Sequence, residues 1–291
     1  MVPSEPDTDR HNQHATPLVR GDGPLACRHW SPVGRPRALL VCVHGIGGHG
    51  VTFARLAQAL TPFGYAVEAL DLPGHGHSPG RRGSMRRWSD WRGAVLTVLS
   101  DVIARSPRIP CFLVGHSMGG TVVLDLALEE PEALQTLGVQ GLILSNPALD
   151  AAGISSWRLV LARLLSWLWP AFTLKTGIAD GAASRDLQVL AERAADPWRH
   201  NRCSARLASE FLATTDRLHQ AAPHLLLPLL LLQSGADQVT PGAAAQLFFA
   251  AAGSPDKSWR LYPDSYHELY DDLDREQVFA DLLAWLNSHG Q

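Results

Sequence analysis

Cysteine is scarce in this chain. Its 291 residues hold four, Cys27, Cys42, Cys111 and Cys203, with no CxxC pair, so no disulfide framework is implied. Cys42 and Cys111 lie inside apolar runs, where buried reduced thiols are expected. Neither sign of charge prevails: 25 Lys and Arg against 28 Asp and Glu leave a formal net charge of −3. Acids and bases are mixed along the sequence, so there is no basic stretch to suggest a nucleic-acid partner. Charged residues make up only 18% and hydrophobic ones 46%, which argues against disorder and supplies a large packed core. The start, 1–17, is rich in Pro, Asp, His and Asn. It lacks the basic-then-apolar pattern of a secretory signal, so it reads as a flexible tail, and a cytoplasmic location is the default expectation. No apolar stretch is long enough to span a bilayer; the strongest, 157–172, covers about 16 residues. There is no internal repeat.

What is present is a rhythm. Leu18 to Arg20 and Leu25 to Trp30 flank Gly21-Asp22-Gly23, an opening hairpin. A short continuous apolar run follows at 38–43, the pattern of a strand buried on both faces, and further strands are expected at 65–70, 111–114, 141–144, 229–232 and 259–261. Helical patterns alternate with them at 52–60, 89–105, 117–130, 243–252 and 274–289. Alternating strands and helices predict an α/β fold: a mostly parallel central sheet flanked by helices, with ligands at the carboxyl ends of the strands. The rhythm breaks between Asp150 and Pro223, where helical patterns occur without a convincing strand. The expected organisation is a tail at 1–17, a core from 18–149 and 224–291, and a helical cap, or lid, at 150–223. A length of 291 residues suits one domain with such an insertion.

The strongest local signal is Gly115-His116-Ser117-Met118-Gly119-Gly120. It matches G-x-S-x-G, in which a strand turns abruptly into a helix with serine at the tip and glycines where side chains would clash. A buried strand precedes it and a helix former, Thr121 to Leu128, follows. A serine hydroxyl is a weak nucleophile and needs a base, itself oriented by an acid. In this architecture the chain order is serine, acid, histidine. Of the downstream histidines only His267 follows the last predicted strand; His200, His219 and His224 fall in or beside the insertion, and His289 is terminal. His267 is therefore the expected base. Asp237, just after the strand at 229–232, is the expected acid; Asp264, close to His267 in the same loop, suits a turn. Donors for a developing oxyanion are expected at the backbone N–H of Met118, after the nucleophile, and of Ile46, in His44-Gly45-Ile46-Gly47-Gly48. His44 reads as a structural residue holding this loop by a hydrogen bond. His75 and His77 have no third partner at metal-ligand spacing, so no metal is expected.

These segments resemble the monoacylglycerol lipase and lysophospholipase-like serine hydrolases of the α/β-hydrolase fold. The matching blocks are His44-Gly45 with its glycines, Asp71-Leu72-Pro73-Gly74-His75-Gly76-His77-Ser78, the Ser117 block, Leu231 to Asp237, and Tyr266-His267-Glu268-Leu269. Ser184-Arg185-Asp186 and Asp196-Pro197 look like the family's cap. The resemblance implies hydrolysis of a small lipid ester through an acyl-enzyme without a cofactor. A short-chain carboxylesterase, a thioesterase and a non-catalytic binding protein on the same fold are the alternatives. The chain departs from the family at Gly48, where Glu is frequent, and near Thr52-Phe53, where Arg-Tyr is; that loop borders the place of the alcohol part.

Within the cap, the apolar stretch from Trp157 to Phe172 exceeds what one buried helix face needs. It is either a lid helix packed on the core or a surface that lines an acyl tunnel and makes peripheral membrane contact. Trp157, Leu164 and Trp167 are the substrate-binding candidates on it.

Overall fold

The structure is a computed structural model that describes residues 14–19, 24–150 and 163–290. Ten strands are present among them: β1 (His14–Val19), β2 (Pro24–Trp30), β3 (Ala38–Val43), β4 (Tyr65–Leu70), β5 (Cys111–His116), β6 (Val139–Ser145), β7 (Thr173–Lys175), β8 (Arg202–Ser204), β9 (Leu229–Ser234) and β10 (Lys257–Tyr262). Eight of them form one sheet in the order β1-β2-β4-β3-β5-β6-β9-β10. From β4 to β10 every pair is parallel, while β1 and β2 run antiparallel at one edge.

The central strands are apolar throughout because both faces are covered. Along β3, Leu39, Val41 and Val43 join one core and Ala38, Leu40 and Cys42 the other, the two-residue alternation of a strand. The first core receives α2 (Trp88–Arg105), α3 (Met118–Glu129) and a later helix at 243–251; the second receives α1 (Ala54–Leu60) and the C-terminal helix. Pro131 does not merely end α3. It opens a further helix, α4 (Pro131–Leu137), because proline is well placed at a first helical position. After a helical run at 163–168 come α5 (Leu187–Ala195), α6 (Ala205–Ala221), α7 (Ala243–Ala251) and α8 (Arg275–His289).

Two expectations are corrected. The tail does not extend to Pro17, since β1 begins at His14 and pairs with β2 as far as His29. The cap is not purely helical: β7 and β8 pair antiparallel as a small sheet of their own. Moreover α6, read as part of the cap, packs on α2, α3 and α7, with Leu207 and Leu218 in the main core. The first part of the apolar stretch, including Trp157, lies outside the described residues. No helix among the described residues is long and apolar enough to cross a membrane.

Candidate active site

The carboxyl ends of β3, β5, β6 and β9 converge on Ser117. Ser117 has φ 54° and ψ −125°, a conformation that costs a non-glycine residue about 1–3 kcal/mol. The surroundings enforce it. A Cβ on Gly115 would lie 2.6 Å from the Gly120 Cα, and one on Gly119 would lie 2.1 Å from the Val43 carbonyl. The backbone is tied on both sides: the Ser117 N–H donates to Ser145 O (3.0 Å), and Ser117 O accepts from Gly120 N (2.9 Å) and Ala148 N (3.0 Å). Only glycine on either side of the tip lets the helix fold back this closely.

His267 lies in the loop after β10 and is nearly buried. Its Nδ1 is 2.8 Å from Asp237 Oδ2. Asp237 sits after β9 and accepts from the N–H groups of Val239 (2.7 Å) and Thr240 (2.9 Å) on Oδ1, and from the Thr240 hydroxyl (2.9 Å) on Oδ2. Burial alone would raise the Asp237 carboxyl; the His267 hydrogen bond and charge and the two backbone donors outweigh it and hold it below the usual carboxylate range. Asp264 is exposed, in the turn closed by Ser265 N–H to Tyr262 O (3.2 Å). Asn146 completes the frame and was not foreseen. Its amide donates to His267 O (2.6 Å) and Ser234 Oγ (2.8 Å), and its carbonyl accepts from Ser234 N–H (2.7 Å). The available signal was an Asn directly after a buried strand, a residue type that tolerates the left-handed region; its φ is 45°.

Ser117, His267 and Ile46 line one cavity, together with Gly48, Thr52 and Glu268. Met118 is the first residue of α3, so its amide stands at a helix N-terminus beside the serine. His44 has the structural place expected of it: Nδ1 contacts Gly45 O (2.8 Å) and Nε2 accepts from Leu72 N–H (3.0 Å). Burial lowers its pKa to about 4, so the ring is neutral and Nδ1 carries the proton. His75 packs between His44, Trp91 and His200, and His77 lies against Trp198.

On the cap side the substrate-binding expectation needs correction. Leu164 and Trp167, 54% and 80% exposed, do not line this cavity. The helical residues 163–168 turn these side chains to solvent, and the cavity is closed instead by Ile178, Ala179, Ala183, Arg193 and Arg199. The second half of the cap is bolted to the loops it covers. His200 N–H donates to Gly47 O (3.0 Å), Glu268 N–H to Ala183 O (2.8 Å), and His49 Nε2 meets Asp196 Oδ2 at 2.6 Å. Gly47 has φ 69° and its Cβ would collide with the His200 carbonyl at 1.8 Å.

Glu268, next to the histidine, is a buried carboxylate that the sequence did not reveal. Arg193 reaches its Oε1 at 2.7 Å, Arg199 the same oxygen at 3.7 Å, and His116 its Oε2 at 3.1 Å. Burial would raise its pKa, but these neighbours hold it well below the carboxylate range. Asp271 goes the other way: burial and the Glu268 charge raise it to about 6.

The family model described as Hydrolase_4, serine aminopeptidase S33, matches residues 34–274. The chain is similar to a monoacylglycerol lipase of Mycolicibacterium smegmatis, 31% identical over 89% of this chain and 91% of that protein. It is 32% identical to the human monoglyceride lipase, covering 93% of this chain and 89% of the relative. Among solved structures, a monoacylglycerol lipase of Paleococcus ferrophilus superposes with a TM-score of 0.82 at 28% identity, covering 91% of this chain and 99% of that one. A soluble variant of the Saccharomyces cerevisiae monoglyceride lipase shares the fold, with a TM-score of 0.85 at 22% identity over 99% of each chain.

Proposed function

The chain belongs to the Hydrolase_4, serine aminopeptidase S33, family of the α/β-hydrolase fold, and from that premise we propose that it is a serine ester hydrolase acting on monoacylglycerols and related lipid monoesters. The observation that carries the reading is a serine held at φ 54° on a strand–helix tip, sharing a cavity with a histidine bonded to a buried carboxylate.

The steps follow from the positions. Asp237 holds the His267 Nδ1–H, so Nε2 is left as the base. Ser117 Oγ attacks the ester carbonyl carbon while Nε2 takes its proton. The N–H groups of Ile46 and Met118 stabilise the oxyanion. As the C–O bond breaks, His267 gives its proton to the departing alcohol and an acyl-Ser117 ester remains. Water, deprotonated by His267, attacks that ester; the fatty acid leaves and the serine regains its proton. No cofactor enters.

An acyl chain needs an apolar way out. Ile178 lines the cavity and is itself exposed. Leu164, Trp167, Leu168, Trp169 and Leu174 are also exposed, by 54–80%. They form an exposed apolar surface by which the cap meets lipid, while Ile178 marks the apolar edge of the cavity itself. On p-nitrophenyl esters from two to sixteen carbons, alongside a monoacylglycerol, turnover is expected to favour medium or long chains and to include the monoacylglycerol. Turnover of short esters alone would make this a general carboxylesterase. In co-sedimentation with phosphatidylcholine vesicles the protein is expected to pellet. The double variant Trp167→Ser, Leu168→Ser should bind at least about tenfold more weakly, since burying one such apolar side chain is worth about 1.5–3 kcal/mol. A protein that stays in the supernatant has no lipid-binding cap.

A further inference from the structure

The loop after β3 brings no charge to the cavity beside Ser117, which it lines with Gly48 and Thr52. The charged groups at this place come from other elements. Arg193 projects from α5, Arg199 from the segment after it, and Glu268 from the histidine loop. Thr52, Arg193 and Arg199 have cavity on two sides. The inner cavity, beside Ser117, measures about 60 Å³ for the centre of a water molecule. An outer one of about 260 Å³ opens between α1 and α5, past Arg55, Gln58 and Glu192. At roughly 10–15 Å³ per water-sized group, the inner cavity suits a fragment of glyceryl size, and the outer one has room for considerably more.

One buried polar atom of the shared wall lacks a partner. Thr52 is 5% exposed and its hydroxyl has no hydrogen-bond partner, an uncommon state for a buried polar group. Two guanidinium groups, each with several N–H donors, face the single carboxylate of Glu268, Arg193 at 2.7 Å and Arg199 at 3.7 Å. Such a wall has donors and a hydroxyl to offer to a ligand's oxygens. Its net charge does not favour an anion. Glu192, Asp196 and Asp271 also line the outer cavity, with Arg55 paired to Glu192 (2.6 Å) and Asp271 (2.9 Å).

We propose that the two cavities form one alcohol-side site, and that the enzyme takes monoacyl esters whose alcohol is a neutral polyol larger than glycerol, a glycosylated glycerol. The proposal rests on the ester-hydrolase reading above. The glyceryl part lies beside Ser117, and the sugar passes Thr52 into the outer cavity, where its hydroxyls meet the Thr52 hydroxyl and the Arg193 and Arg199 donors.

The test compares kcat/KM for a monoacylglycerol, a monoacyl glucosylglycerol and a lysophosphatidylglycerol of the same chain length. Labelling of Ser117 by a fluorophosphonate is followed in parallel. The glucosyl ester is expected to react at least as fast as the monoacylglycerol and faster than the phosphoester. Thr52→Arg, which fills the shared wall, and Gln58→Trp, on the exposed side of α1 and against the outer cavity alone, should each lower the glucosyl-to-monoacylglycerol ratio at least tenfold. Because a ratio is read, partial misfolding of either variant cancels. A slower glucosyl ester, a preferred phosphoester, or a ratio that neither variant moves would overturn the proposal. If Ser117 labels but no ester is cleaved, the lipid-ester reading itself fails, and this inference with it.

Discussion

Replacing Ser117 by alanine is expected to lower kcat/KM for every ester substrate by at least about 10⁴-fold, the scale on which loss of a serine nucleophile acts, and to abolish fluorophosphonate labelling. The reason the effect should be confined to chemistry lies in the bonds around the tip. All three hydrogen bonds that hold residue 117 use its backbone: its N–H to Ser145 O, and its carbonyl to Gly120 and Ala148 N–H. Alanine keeps each of them. The strain at φ 54° is the same for a serine and an alanine Cβ. The melting temperature should therefore shift by no more than about 2 °C, as for a change that leaves packing and hydrogen bonds intact. Retention of a few per cent of the activity, or labelling that persists in the variant, would remove Ser117 from the role of nucleophile.

The parts of this molecule legible in its sequence are those whose signal is local. β3 at Ala38–Val43 and β4 at Tyr65–Leu70 coincide with the strands expected there, because every position of both is buried and only Glu68 among them is charged. The elbow was legible for the same reason: strand, glycines and helix are contiguous. The cap was not. β7 has three residues, largely exposed, and exists only by pairing with β8, so no periodicity announces it. The apolar residues Leu164 and Trp167 suggested a pocket wall, but hydrophobicity alone does not tell which way a lid helix faces. Glu268 and Arg193 stand 75 residues apart, and the polar wall they make emerges only when the cap closes over the histidine loop. That the loop at Gly48 and Thr52 brings no charge to the site was legible in the sequence; that Arg193, Arg199 and Glu268 stand beside it was not.

Changing Asp237 to asparagine should cost nearly as much as losing the serine, on the order of 10³–10⁴-fold in kcat, as expected when the group that orients a catalytic imidazole is neutralised in place. Isosteric though it is, asparagine has no acceptable orientation here. Oδ1 receives the N–H groups of Val239 (2.7 Å) and Thr240 (2.9 Å), and Oδ2 receives the Thr240 hydroxyl (2.9 Å) and faces His267 Nδ1 (2.8 Å). With the amide nitrogen in the Oδ1 place, two backbone donors meet a donor and are left buried without partners, at about 1–3 kcal/mol each. With it in the Oδ2 place, the amide donates to Nδ1, which drives the imidazole proton to Nε2, and the ring then points a donor instead of an acceptor at Ser117. The second arrangement preserves more hydrogen bonds and should prevail, so the protein folds with a misprotonated base. The loss then has a signature. In wild type the depressed Asp237 carboxyl contributes stability above the carboxylate range and loses it as pH falls through the folded pKa, so the Tm difference between wild type and Asp237→Asn should shrink on acidification. The rate defect of the variant should ease at high pH, where hydroxide can stand in for the general base. A variant whose kcat stays within tenfold of wild type at neutral pH would mean that another group orients His267, and Thr240, whose hydroxyl lies 3.2 Å from Nδ1, would be the residue to test next.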